Sequence, residues 1–363
     1  MAGEGAEWWS EETVAVVTGA NRGIGLEVCR QLADKGLTVI MTARKPQEQL
    51  SSAAQQFLQE AAETGRKNVI FHTLDITQQQ SVLDFVDWLK LTVGFADILV
   101  NHAAVDNSVI DWNLKEWNNV DQSTMLALLT WANGVSDKYE SARGCLETNF
   151  YGTKRLTKAL LPLLRPSSHK PRIVKRLIQI WTTVCKTPIL LEYSCLWFKI
   201  DMSTILSKLS QIKVTYSKIS PRFLGIRFVN RSTMLVPQLL RDEELRKQLC
   251  ETASLTEEKI DEGLDMFLED VKSEKGMDRW PIKYPTYSIS KISLNAYTRL
   301  LALQLHDKAC VNSVHPGYVR TDMNLGNGDL SPAEGAANLV RVALLPPGGP
   351  SGHNFLEGED VEF

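Results

Sequence analysis

No stretch of the chain is both long enough and free enough of charge to cross a bilayer. The longest apolar run, residues 180–200, is broken by Lys186, Glu192 and Lys199, so no membrane partner is expected. There is no C-x-x-C pair. The cysteines Cys29, Cys145, Cys185, Cys195, Cys250 and Cys310 are scattered, with no histidine at metal-ligand spacing. A disulfide framework and a metal site are therefore not expected, and reduced thiols point to the cytoplasm. Net charge is small, −3 over 363 residues, which gives no reason to expect a nucleic-acid partner. Residues 1–7 are acidic and have no apolar core, unlike a signal peptide. One shortage is local: from Ile173 to Asn230 there is no alanine and only Gly225 among glycines.

What is present begins with Val14-Ala15-Val16-Val17, an apolar run suited to a buried parallel strand. Leu26, Val28, Cys29 and Leu32 follow at helical spacing, and Thr18-Gly19-Ala20-Asn21-Arg22-Gly23-Ile24-Gly25 lies between. Glycines at a strand-to-helix turn allow tight turning and let backbone approach a phosphate, and the helix N-terminus offers free N–H groups to it. Three glycines alone also fit an ordinary strand–helix loop. A second strand, Leu37–Thr42, ends at Ala43-Arg44-Lys45 with no carboxylate to meet a ribose 2′-hydroxyl. Arg44, Lys45 and Arg22 suit a 2′-phosphate, hence NADPH, unless they are merely solvated charges.

A third strand is expected at Val69–Ile76, where Asp75 or Thr77 could cap a helix, and a fourth at Asp97–Val100, leading into Asn101-His102-Ala103-Ala104. Cys145 to Leu164 has helical periodicity and carries Asn149. Thr256 is a plausible cap for a helix within 241–280, as is Ser254 with Glu257. Tyr287-Ser288-Ile289-Ser290-Lys291 stacks a phenol and an amine on one helix face. A neighbouring ammonium stabilises a phenolate, which suits a phenol to proton donation near neutral pH. A sixth strand and turn follow at Val311–Met323, containing Pro316-Gly317, and a short strand is expected near Phe355.

Taken together, T-G-A-N-R-G-I-G, the Asn101-His102-Ala103 turn, Asn149 and Y-S-I-S-K resemble the short-chain dehydrogenase/reductase family. The long helical stretch 241–280 resembles its monomeric carbonyl reductase and plant-type salutaridine reductase/menthol dehydrogenase branch. The resemblance implies an α/β, doubly wound, mostly parallel Rossmann sheet with helices on both faces, formed as one domain over 1–363. It implies a helical insert at 241–280 that covers the active site and favours a monomer. It implies NADPH/NADP held by Gly19, Asn21, Arg22, Gly23, Ile24, Gly25, Arg44, Asp75, Asn101, Ala103, Tyr287, Lys291, Pro316, Gly317, Val319 and Thr321. The implied catalytic set is Asn149, Ser232, Thr233, Tyr287 and Lys291, with Tyr287 as general acid. The implied partner is a small-molecule carbonyl substrate, a terpenoid- or alkaloid-like ketone reduced to its alcohol. The alternative is a non-catalytic dinucleotide-binding or inactive mis-spliced product.

That alternative arises from residues 174–229. Pro171-Arg172-Ile173-Val174 begins like the family's fifth strand, but the expected continuation comes only at Arg227-Phe228-Val229-Asn230-Arg231-Ser232-Thr233. The residues between are rich in Lys, Ile, Leu, Ser and Thr, and their only acids are Glu192 and Asp201. This mix suggests AT-rich codons and looks like translated intron; the competing reading is a genuine insertion, such as a lid or a partner surface. The strand position thus has more than one claimant: Ile226–Arg231 matches best, Leu177–Thr183 is a cruder copy of the same apolar-then-hydroxyl pattern, and a sheet position so contested is poorly specified.

Overall fold

The computed structural model describes residues 7–106, 139–165, 172–176, 240–281, 284–306, 308–324 and 326–361. The chain divides into two units, one comprising Met1–Ile180 with Thr233–Phe363 and the other Trp181–Ser232. Everything described below belongs to the first.

Strand β1 (Val14–Val17) is buried at every residue, as its β-branched run requires of a central parallel strand. The chain continues through α1 (Gly23–Asp34), β2 (Thr38–Ala43), α2 (Ser52–Glu63), β3 (Val69–Thr73), α3 (Gln79–Thr92) and β4 (Ile98–Asn101). Then come α4 (Tyr139–Leu146), a π-helical turn (Glu147–Gly152), α5 (Thr153–Leu160), β5 (Arg172–Arg176), α6 (Glu243–Cys250) and α7 (Glu257–Ser273). The last elements are α8 (Pro285–Gln304), β6 (Cys310–His315), α9 (Pro332–Ala343), β7 (Asn354–Leu356) and β8 (Glu359–Val361). The strand order is β3-β2-β1-β4-β5-β6-β7-β8, parallel except for the β7–β8 hairpin. The order reverses between β1 and β4, and in such sheets ligands bind beyond the strand ends at that switch point. Two apolar layers, one on each face, bury the sheet.

The fifth strand runs on from the start at Arg172-Ile173-Val174, while the candidates Leu177–Thr183 and Ile226–Arg231 lie outside the described residues. Arg172–Arg176 pairs with β4 on one side and β6 on the other, so Val174, Lys175 and Arg176, the first residues of the anomalous stretch, take places in the sheet. Most of 174–229 lies outside the described residues. Thr256 caps α7 by accepting from the Lys259 N–H at 3.3 Å. Asp75 caps no helix; its Oδ1 accepts from the backbone N–H and hydroxyl of Thr77, closing a local turn before α3.

Helices α6 and α7 are fastened to the body by charge as well as apolar contact. The Lys154 Nζ on α5 lies 2.7 Å from Asp261 and 3.1 Å from Glu257, and Lys158 also reaches Glu257. Arg299 on α8 donates to the carbonyls of Leu249 and Cys250 at the end of α6, where a helix C-terminus favours a cation. Among the described residues no helix is long and apolar enough to cross a membrane.

Candidate active site

The first glycine turn is fixed by its own side chains. The Thr18 Oγ1 accepts the backbone N–H groups of His102 and Ala103, both at 3.0 Å, splaying the ends of β1 and β4 around one hydroxyl. Asn21 accepts the Ser51 N–H at 2.7 Å, which ties the turn to the start of α2. Gly19 has φ +67°, and a Cβ there would sit 2.8 Å from the Ala103 Cα. A Cβ on Gly25 would collide with the Gly19 carbonyl and with His102, so α1 can pass this close only as glycine. His102 is buried against this turn, its ring close to Gly25. Ile24 is buried in the layer below. Arg22, in extended backbone at the head of α1, provides no side-chain cap, so the first N–H groups of the helix face outward. Its guanidinium instead pairs with Asp322 at 2.7 Å, a bond between exposed groups across the turn.

Helix α8 is buried almost all round from Pro285 to Ala302, and it fixes the second cluster. Tyr287 and Lys291 are both 2% exposed, with the Lys291 Nζ 5.2 Å from the phenol ring centroid. Asn149 sits within the π-helical turn. Its side chain accepts from the Val105 N–H at 2.8 Å, donates to the Val105 carbonyl at 2.9 Å, and lies 3.2 Å from the Ser290 hydroxyl. Ser290 in turn donates to the Tyr287 carbonyl. The loop after β4, the π-turn and the Tyr–Lys helix are therefore joined through Asn149 and Ser290. Ser290 and Thr18 stand inside the two motifs but have no role assigned by them; in each case the signal is a hydroxyl beside a site residue. Tyr284, in the left-handed region at φ 47°, precedes the helix. Burial, then the charges of Asp329 and Tyr284, push the Tyr318 phenol upward.

The remaining expected residues fall around these clusters. Asn101 donates to the Thr157 hydroxyl at 3.1 Å, anchoring the end of β4 to α5. Arg44 and Thr77, with Val105, Gly144, Glu147 and Thr148, line a cavity of about 300 Å³ beyond the ends of β2 and β3, and Asp75 lies two residues from Thr77. Pro316 and Gly317 follow β6, with the Gly317 N–H donated to the His315 Nδ1 and Gly317 at φ +90°. Val319 is buried, while the Thr321 hydroxyl is buried without a hydrogen-bond partner among the described residues. Ser232 and Thr233 lie outside the described residues. Among the described residues no cluster of His, Cys, Asp and Glu could hold a metal ion.

The arrangement fits a dinucleotide. An uncapped helix start at the switch point suits a pyrophosphate, the glycines leave room for it, and the orphaned Thr321 hydroxyl awaits a polar group. A parallel sheet with this crevice, leading to a buried Tyr–Lys pair, defines a Rossmann-type oxidoreductase.

The family model described as short chain dehydrogenase matches residues 13–176. Short-chain dehydrogenase/reductase 1 of Saponaria officinalis is 33% identical over 99% of this chain and 99% of its own. The (+)-neomenthol dehydrogenase of Capsicum annuum is 32% identical over 99% and 100%. The solved structure of salutaridine reductase from Papaver somniferum superposes with a TM-score of 0.69 at 30% identity, over 95% of this chain and 99% of that one. The chain belongs to the short-chain dehydrogenase/reductase family.

Proposed function

We propose that the protein reduces a ketone of an apolar, terpenoid- or alkaloid-like small molecule with NADPH, acting as a cytoplasmic monomer. The observation that carries this reading is the buried Tyr287–Lys291 pair, linked through Ser290 and Asn149 to the loop at the switch point. The names of the neomenthol and salutaridine enzymes support the substrate class.

Gly19, Gly23 and Gly25 would admit the pyrophosphate to the start of α1, while Arg22 and Arg44 would take the 2′-phosphate. Asp75 and Ala103 would flank the adenosine half, and Pro316, Gly317, Val319 and Thr321 the nicotinamide half. When bound, the reduced nicotinamide supplies hydride to the carbonyl carbon. Tyr287 donates the proton from its hydroxyl to the carbonyl oxygen as charge develops there. Lys291 stabilises the phenolate that remains and reaches toward the ribose, and Asn149 holds the adjoining loop. Helices α6 and α7, packed on this side of the body, support both an apolar substrate cover and the monomeric state.

The test is loss of NADPH absorbance with cyclic monoterpene ketones and with salutaridine. Tyr287→Phe is expected to lower turnover by about a hundredfold or more while leaving NADPH affinity within about twofold. Equal turnover by the variant would overturn Tyr287 as the acid.

A further inference from the structure

Strand β5 fits its surroundings up to Val174 and fails at the next residue. Val174 packs in the apolar layer with Val100 and Val314. Lys175 is fully buried, and its Nζ has no hydrogen-bond partner among the described residues. The Nζ lies 3.8 Å from the centroid of the Tyr297 ring, whose own hydroxyl is likewise unpartnered among them. The register sets Lys175 between Asn101 of β4 and Ser313 of β6, in the middle of the sheet. A site evolved for a buried ammonium would offer it a carboxylate or carbonyls at bonding distance.

Three other boundaries fall close to this misfit. The alanine-free, lysine-rich composition covers this same stretch. The family match ends at residue 176. The main body breaks off at Ile180 and resumes at Thr233. In addition, Arg172-Ile173-Val174 and Arg227-Phe228-Val229 are two versions of one strand start.

We infer that residues 175–229 interrupt β5 in frame, and that the working form of this protein joins Val174 directly to Asn230. The fifth strand of the joined chain reads Arg172-Ile173-Val174-Asn230-Arg231-Ser232-Thr233. Asn230 then takes the register position opposite Asn101 and Ser313, replacing a buried ammonium with a neutral amide that both donates and accepts. The strand continues into Ser232-Thr233 instead of Leu177-Ile178. Helix α8 runs back along β5, so Tyr287, ten residues before Tyr297, lies toward the ends of the strands, where these hydroxyls would emerge. The retained segment leaves β1 to β4 and the glycine turn untouched, while β5 runs on from Val174 into Lys175 and Arg176 instead of Asn230 and Arg231. The full chain is thus a slower form that keeps the dinucleotide half of the site. The activity arm of the test rests on the reductase reading; the stability arm does not.

The experiment compares three proteins: the full chain, the full chain with Lys175→Met, and the chain lacking residues 175–229. Soluble yield, thermal midpoint with and without NADPH, and NADPH consumption with cyclic monoterpene ketones are measured for each. The shortened chain is expected to melt higher than the full chain by about 5 °C or more and to turn over at least about tenfold faster. Lys175→Met is expected to raise the midpoint of the full chain by a few degrees, about 2–4 °C, without raising turnover. A full chain recovered only as aggregate beside a soluble shortened chain supports the inference equally. A shortened chain that is less soluble, or no more stable than the full chain, overturns it. A shortened chain that gains stability but ignores NADPH upholds the interruption and overturns the reductase reading instead.

Discussion

Arg22 faces two claims on one guanidinium. Its place at the head of α1 suits a 2′-phosphate, yet in the structure it pairs with Asp322 at 2.7 Å, both side chains being mostly exposed. Such a pair contributes little to folding, since water screens it and both side chains lose freedom. Its consequence is for binding, because a phosphate must draw Arg22 away from a carboxylate. Asp322→Asn is therefore expected to tighten NADPH binding by about two- to threefold, and Arg22→Ala to weaken it by about tenfold. NADH, which has no 2′-phosphate, should respond to neither substitution by more than about twofold. Titration by nucleotide fluorescence checks this, and weaker NADPH binding by Asp322→Asn would show that the carboxylate orients Arg22 rather than competing for it.

Helix α7 depends on a cluster of four charged side chains that it shares with α5. Burial opposes the charge on Glu257, but hydrogen bonds from Lys158 and Lys154 outweigh it and hold the carboxyl below its ordinary range. Burial likewise opposes the charge on Lys154, and its bonds to Asp261 and Glu257 raise it nonetheless. A lowered carboxyl stabilises the fold above its unfolded pKa, about 4.3, and loses that contribution as pH falls through the folded value. A raised amine contributes below about 10.4 and loses its contribution as pH rises through the folded value. The fastening should hold across the neutral range and fail first in acid. Glu257→Gln is expected to cost about 1–2 kcal/mol and to speed hydrogen exchange in α7 near neutral pH. Exchange unchanged from the parent would mean that apolar packing alone holds α7.

These elements also show what a sequence can and cannot disclose. Strands β1 to β4 were legible because buried parallel strands are short apolar runs bounded by turn residues, and the glycine turn because only glycine tolerates its close approaches. The π-turn at Glu147–Gly152 is hidden in the periodicity, because one extra residue per turn leaves apolar spacing almost unchanged and Cys145–Leu164 reads as one helix; only the resemblance implies a helix distortion at Asn149. Strand β8 was missed because its hairpin rests on Glu357-Gly358, both at positive φ, and glutamate is an unusual residue there. Asn101, Asn149, Tyr287 and Lys291 could be named from the chain, but the bonds of Asn149 to Val105 and Ser290 could not. For β5 the sequence favoured the downstream copy. The sheet takes the upstream one, which keeps the short connection from α5 at the cost of burying Lys175.

That buried amine reaches beyond its own contacts to the stability of the whole molecule. Burial drives the Lys175 ammonium well below its ordinary range, and the charge of Glu257 pulls it back only in part. The native state therefore binds fewer protons at this site than the unfolded chain, whose lysine titrates near about 10.4. Unfolding free energy then rises with pH between the folded and unfolded values, by up to about 1.4 kcal/mol per pH unit for one proton. Over pH 7 to 9 the fastening of α7 changes little, because Glu257 stays ionised and Lys154 stays protonated. Burial raises the Cys29 thiol, which opposes the slope as an unfolded thiol ionises near about 8.5, so the difference between the parent and Lys175→Met reports Lys175. The full chain should become more resistant to urea as pH is raised through that window. Lys175→Met should be more stable than the parent at pH 7, and the advantage should shrink toward pH 9 as the slope disappears. If the parent and Lys175→Met show parallel urea midpoints across the window, the lysine is not held neutral in the core. The upstream strand would then have lost its physical mark as the wrong continuation of the sheet.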